Sequence, residues 1–298
     1  MSTSRLVLWQ IMVRAVHTVR GRRDQPAPGG PFHRRGCDVV LPRVGKCHIL
    51  AEWAEPVWAE PVWAEPVWAE PVWAEPVWAE PVRYERERAA LVAAGRWLAE
   101  RRLVIGTAGN LSVRVGARVL VTPTGGDLGR LTPDMITAVT AADGTVCDGR
   151  LEPTSELPLH LAVYRSTGAG AVAHAHAPAS IAVGCSHDEL PPVHYNTVLL
   201  GGVVRVAEYA MFGSAQLAAN VATALAGRHA AIMRNHGSVA CGDGIEQACD
   251  RLELLEWLAE VYCRAAVLGR PRILGADELA AVGAELAARG YGAPRSLS

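Results

Sequence analysis

The sequence predicts a mixed α/β domain of α+β type, with a central, largely antiparallel β-sheet flanked by helices. Three observations lead there. From Tyr84 onward, about 215 residues carry short β-rich runs interspersed with amphipathic helical runs, a length suited to one domain. These runs do not follow strict βαβ alternation, which argues against an all-parallel sheet. Half of the 298-residue chain is hydrophobic, enough to build a sizeable core.

Taken in order, residues 84–102 read as a helix with Leu91, Ala94 and Leu98 on one face. Strand-like runs follow at 111–115, 119–122 and 136–140. A helix is expected at 154–164, then a strand at 171–176 and a helix from about Pro178. Further strands are expected at 193–199 and 203–206, then a helix at 214–225. Residues 231–234 and 238–240 read as one strand interrupted by a loop, followed by helices at 245–268 and 277–289.

Residues 1–82 differ from the rest. The first 50 hold nine Lys/Arg against Asp24 and Asp38, with Pro and Gly clustered at 26–31. Six copies of Trp-Ala-Glu-Pro-Val then fill residues 53–82. A proline every fifth residue removes backbone donors and bars a continuous helix, so an extended, disordered low-complexity tract is expected. Three origins stay open: a translated tandem repeat upstream of the true start, a disordered arm for a partner, or a targeting peptide. None supplies catalytic chemistry, which leaves residues 83–298 as the catalytic domain.

The formal net charge of -1 suggests neither a nucleic-acid nor a membrane partner. No apolar run approaches the ~20 residues of a membrane span, and Leu6–Trp9 is too short for a secretory signal core. The seven cysteines (Cys37, Cys47, Cys147, Cys185, Cys241, Cys249 and Cys263) form no CxxC pair. An odd number without pairing fits reduced thiols in the cytoplasm. The only lysine is Lys46. Carbonyl chemistry in the folded part therefore requires a metal or hydrogen bonds in place of a Schiff base.

His174-Ala175-His176 is the most specific local signal. Histidines two apart on a strand project from one face, so both rings can reach one ion; two unrelated histidines near a strand end are the plain alternative. His236, in Arg234-Asn235-His236-Gly237, sits where a strand gives way to a glycine turn and is a third candidate. Three histidines leave an open position, as catalytic metal sites do. Thr154-Ser155-Glu156 begins the expected helix, where hydroxyls cap, free N–H groups bind anions, and a carboxylate can act as a general base. Thr107-Ala108-Gly109-Asn110 and Thr122-Pro123-Thr124-Gly125 are loops that suit either a phosphate or a plain turn. Tyr195 falls in an expected apolar strand, and His160 reads as structural rather than as a ligand.

In order and spacing, Gly106–Arg114 (GTAGNLSVR), Thr122–Gly125 (TPTG), Pro153–His160 (PTSELPLH), His174–Ala177 (HAHA), His194-Tyr195 and His236-Gly237 resemble the class II aldolase/adducin family. The resemblance runs from about residue 84 to the C-terminus and implies that family's three-layer domain. It implies zinc, or another divalent transition metal, on His174, His176 and His236. It implies sugar-phosphate contacts from Asn110, Thr124, Gly125, Thr154 and Ser155, with Glu156 as general acid/base and Tyr195 as proton donor. The implied reaction is cleavage of a ketose 1-phosphate, like L-fuculose 1-phosphate, to dihydroxyacetone phosphate and an aldehyde. A homotetramer is implied too, with Tyr291 as a candidate to reach a neighbour's site. Family dehydratases, epimerases and decarboxylases are the alternatives, and a non-catalytic adducin-type scaffold is a further one. The family's epimerases carry an aspartate at the position of Glu156, and its adducin members lack the metal histidines.

Overall fold

The computed structural model describes residues 84–289; the extension at 1–82 and Tyr291 lie outside them. Among the described residues the elements run α1 (Glu85–Glu100), β1 (Asn110–Val115), β2 (Arg118–Val121), β3 (Thr137–Thr140), β4 (Val146–Asp148), α2 (Leu157–Thr167), β5 (Ala171–Ala175) and α3 (Pro178–Gly184). Then come β6 (Glu189–Leu190), β7 (Val204–Ala207), α4 (Ala215–Ala224), β8 (Ala230–Met233), β9 (Gly237–Gly242), α5 (Ile245–Leu268) and α6 (Ala276–Arg289). The strands form one sheet in the order β4-β3-β2-β1-β5-β9-β8-β7-β6. Every neighbouring pair is antiparallel except β7 with β8. No described helix is long and apolar enough to cross a membrane.

Alternation along the strands divides the interior into two layers. Leu111, Val113, Ala171, Ala173 and Ile232 pack with Leu91 and Leu98 of α1 and with Leu252 and Leu255 of α5. On the opposite face Val119, Val172, Met233 and Val239 pack with Leu159 and Val163 of α2 and with Leu217 and Val221 of α4. The molecule is thus a helix–sheet–helix sandwich, and the site residues of β1 and β5 belong to the α2 face. Ser214 starts α4 by accepting from Leu217 N at 3.1 Å, and Gly168 ends α2 in the left-handed conformation at φ 71°.

Several local expectations are corrected. Residues 195–200 form a 3₁₀ helix rather than a strand. Pro191 and Pro192 remove ladder donors just before it, and His194 Nδ1 accepts from Asn196 N at 3.2 Å. The interrupted strand at 231–240 is instead a hairpin of β8 and β9, turned by Asn235 at φ 54°. Helix α2 begins at Leu157 rather than Thr154, because Thr154 N is held by Thr122 O at 3.0 Å, an extended contact beside β2. Strand β4 has no sequence expectation: Val146-Cys147-Asp148 is mostly exposed and lacks an apolar pattern.

Candidate metal and substrate site

Strand register builds the floor of the site. Asn110 of β1 pairs directly with His174 of β5, and His174 pairs in turn with Val239 of β9. His174 and His176 therefore point to the α2 face together, while the β8–β9 turn brings His236 beside them. The three rings form a near-equilateral triangle, with centroids 4.8, 5.1 and 5.0 Å apart. Glu156, at the entry to α2, closes the cluster: its Oε2 lies 3.0 Å from His174 Nε2 and its Oε1 3.4 Å from His236 Nε2. One ligand atom from each of the four residues lies within 4.8 Å of all the others.

Close packing at this point depends on glycine. A Cβ on Gly237 would sit 2.5 Å from Ala175 O, 3.0 Å from His174 Cε1 and 3.1 Å from His176 Cδ2. A Cβ on Gly109, which is at φ +103°, would meet His174 O at 2.9 Å.

The donor set fits a transition-metal ion. Ser238 O lies 2.9 Å from His174 Nδ1, and a carbonyl can only accept, so Nδ1 carries a hydrogen. In the neutral, metal-binding form the Nε2 lone pair faces inward, toward His176 Nε2 at 3.0 Å and Glu156; in the protonated form that Glu156 favours, Nε2 donates to Glu156 Oε2 instead. Donors about 2.0–2.1 Å from a tetrahedral ion lie about 3.3 Å apart, close to the 3.0–3.4 Å of the three nearest pairs. Glu156 Oε1 is buried with no hydrogen-bond partner, as expected of an acceptor awaiting a cation or proton.

Electrostatics agree. Burial raises the Glu156 carboxyl, but the His174 charge and hydrogen bond, with help from Asn110 and His236, hold it below the ordinary range. Burial opposes charge on His174, yet Glu156 raises its pKa. Burial and the charges of His174 and His236 push His176 down to about 4. Burial and His174 also lower His236. The carboxylate thus demands positive charge at the centre, while His176 and His236 stay neutral, the form that binds metal.

Above this floor opens a cavity of about 280 Å³. It is lined by Asn110, Thr124, Gly125, Thr154, Ser155, Glu156, His176 and His236, so eight of the ten expected site residues share it. His174 lies behind the surface, wholly buried. Tyr195 does not line the cavity: it is exposed, and its ring stacks on His194 at 4.3 Å. Asn110 differs from a simple phosphate ligand, because its Nδ2 donates to Glu156 Oε2 at 3.0 Å. One of its two amide hydrogens remains for a ligand. Thr154 Oγ1 accepts from Glu156 N at 3.3 Å, so it caps as well as lines. Sequence reasoning missed Tyr209, Phe212 and Asn235, which also line the cavity. The available signal was an aromatic pair placed between a strand and a serine-capped helix, outside any core periodicity.

The family described as "Class II Aldolase and Adducin N-terminal domain" matches residues 89–263. The chain belongs to the class II aldolase and adducin family. It is 36% identical over 194 residues to a 5-methylthioribulose-1-phosphate/5-deoxyribulose-1-phosphate aldolase of Rhodospirillum rubrum, covering 64% of this chain and 87% of that one. It is 35% identical over 190 residues to a 3-oxo-tetronate 4-phosphate decarboxylase of Escherichia coli, covering 61% and 87%. A solved L-fuculose 1-phosphate aldolase superposes with a TM-score of 0.66 at 33% identity, covering 68% of this chain and 96% of that one. The three-layer domain of the class II aldolases is therefore the fold of this chain.

Proposed function

We propose that the chain is a zinc-dependent aldolase that reversibly cleaves a ketose 1-phosphate, such as L-fuculose 1-phosphate, to dihydroxyacetone phosphate and an aldehyde. The observation that carries this reading is the Glu156/His174/His176/His236 cluster at the floor of a cavity rimmed by small polar loops. The chain is a lyase of the class II aldolase family, and its one lysine, Lys46, lies outside the family match. When bound, the divalent ion supplies Lewis-acid polarisation of the substrate's carbonyl and neighbouring hydroxyl oxygens.

The side chains divide the remaining work. Thr124, Gly125, Thr154 and Ser155, with the spare Asn110 amide hydrogen, hold the phosphate and so orient C3 toward Glu156. As the C3–C4 bond breaks, its electron pair stays on C3 and Glu156 delivers a proton there. The C4 hydroxyl loses its proton to the Tyr195 phenolate to become the aldehyde, and in the reverse direction the Tyr195 phenol donates that proton to the aldehyde oxygen. Tyr195 lies outside its own cavity, so we assign it to the site of a neighbouring copy, within a homotetramer in the cytoplasm.

The second reading, a sugar-phosphate decarboxylase, epimerase or dehydratase on the same site, draws on the decarboxylase relative. Product analysis separates the two: release of dihydroxyacetone phosphate supports the aldolase, and release of carbon dioxide the decarboxylase. The deciding experiment is metal analysis of the purified protein with assays before and after chelation. Stoichiometric zinc, loss of cleavage on chelation and its return with added zinc are expected. A chelated protein with full activity would overturn the mechanism, and a protein without bound metal would favour a scaffold.

A further inference from the structure

Behind Glu156 and Asn110 runs a single file of buried side chains, of which His160, Ser112 and Tyr164 have no part in the reaction scheme. Asn110 Nδ2 lies 3.0 Å from Glu156 Oε2, and Asn110 Oδ1 lies 2.5 Å from His160 Nε2. His160 Nδ1 lies 2.7 Å from Ser112 Oγ, which lies 2.7 Å from the Tyr164 hydroxyl. None of the five residues is more than 6% exposed.

Elementary donor and acceptor rules place every proton in this file. The carboxylate only accepts, so Asn110 turns its NH₂ toward Glu156. Its carbonyl oxygen then faces His160 and only accepts, so Nε2 carries the ring hydrogen. The ring is neutral, since none of its hydrogen-bond partners is acidic; burial, aided by the His174 charge, pushes it down to about 3. Nδ1 therefore presents a lone pair, Ser112 donates to it, and Tyr164 donates to Ser112. All the donors point the same way, toward Glu156.

We propose that His160 is a positioning residue: acting through Asn110, it fixes Glu156 Oε2 as an acceptor and leaves Oε1 as the oxygen that carries the reacting proton. This rests on the aldolase reading for the identity of the reaction. An asparagine amide flips at little steric cost, and only its neighbours choose its orientation. Flipped, Asn110 would set its carbonyl against the carboxylate at hydrogen-bond distance and its NH₂ against the His160 N–H. Both contacts would be lost together, so His160 makes the orientation cooperative. Oε2 accepts from Asn110 Nδ2 at 3.0 Å, whereas Oε1 has no hydrogen-bond partner.

The test combines spectroscopy with kinetics on the zinc-loaded enzyme. In a ¹⁵N-histidine sample, His160, assigned by its loss in His160→Gln, is expected as the neutral Nε2–H tautomer with a slowly exchanging proton. An Nδ1–H or doubly protonated ring overturns the proposal, whatever the substrate. With a ketose 1-phosphate, His160→Leu is expected to lower kcat about 10–100-fold, with KM and metal content little changed. His160→Gln, whose amide offers one donor and one acceptor, is expected to recover most of that loss. Equal loss in both variants, or full kcat in His160→Leu, overturns the proposal. Should His160→Leu fail to fold, Ser112→Ala takes its place, with a smaller fall in kcat at unchanged KM expected and an unchanged kcat overturning. A wild-type enzyme that cleaves no ketose 1-phosphate overturns the reaction reading alone, because the tautomer measurement stands apart from it.

Discussion

The floor and the mouth of the cavity are built on opposite plans. At the floor, Asn110, Glu156 and His174 are at most 6% exposed, and β1–β5 register places two of them face to face. At the mouth, Tyr209 and Phe212 are 59% and 61% exposed and belong to a loop; Tyr195, outside the cavity on a 3₁₀ turn, is 42% exposed. Groups that move protons or hold a metal need positions accurate to a fraction of an ångström, and a sheet interior supplies that. Groups that meet substrate or a second copy need only reach, and loops vary without disturbing the sheet. The two ends therefore respond differently to substitution.

The largest contrast comes from placing one change at each end. Glu156→Gln keeps the size of the side chain but removes its proton exchange, and kcat is expected to fall about 10²–10⁴-fold with metal retained. Tyr195→Phe is expected to lower kcat as well, through the neighbour's site. Mixed oligomers sharpen the comparison. If Tyr195 serves a neighbouring copy, subunits bearing Glu156→Gln and subunits bearing Tyr195→Phe regain activity when refolded together, because some sites then receive both native groups. No recovery in verified mixed oligomers would return Tyr195 to its own chain or remove it from the mechanism.

The sequence showed the floor better than the mouth, and the reason is periodicity. His174 and His176 announce themselves through strand alternation, His236 through its glycine turn and Glu156 through its place at a helix entry. The helix expected at 245–268 matches α5, because a long apolar stripe is a strong signal. The Asn110–His160–Ser112 file was not legible: it depends on α2 packing against β1 from 50 residues further along the chain, and His160 alone resembles any helix histidine. Tyr195 misled because an apolar run after two prolines looks like a strand until tertiary contacts decide. Tyr209 and Phe212 lie in a loop, where no repeat reveals which side chains face a cavity.

A smaller effect tests how tightly the floor is packed. Gly237→Ala introduces a Cβ 2.5 Å from a backbone carbonyl and against the His174 and His176 rings, so the β8–β9 hairpin must shift. Metal affinity is expected to drop about 10–100-fold, in line with other disturbances around metal ligands, and zinc titration of the apo-protein measures it. Gly125→Ala is the control, at a loop that lines the cavity away from these rings. Its Cβ meets nothing within 4 Å, although φ +65° carries a conformational cost. That variant should keep its zinc affinity, and equal losses in the two would mean that backbone strain rather than ring crowding governs metal binding.

The smallest effect is expected at the mouth. Phe212 is well exposed and lies outside both core clusters, so Phe212→Ala should change stability by no more than about 0.5 kcal/mol. For a domain of this size that is a shift of roughly 1–2 °C in Tm, readable by thermal denaturation. Its ring nevertheless lines the cavity, so KM should change more than Tm does. A large fall in Tm would show that Phe212 is buried in the working enzyme. Cover from a neighbouring copy would account for that, and the mouth would then be an assembly surface as well as a substrate entrance.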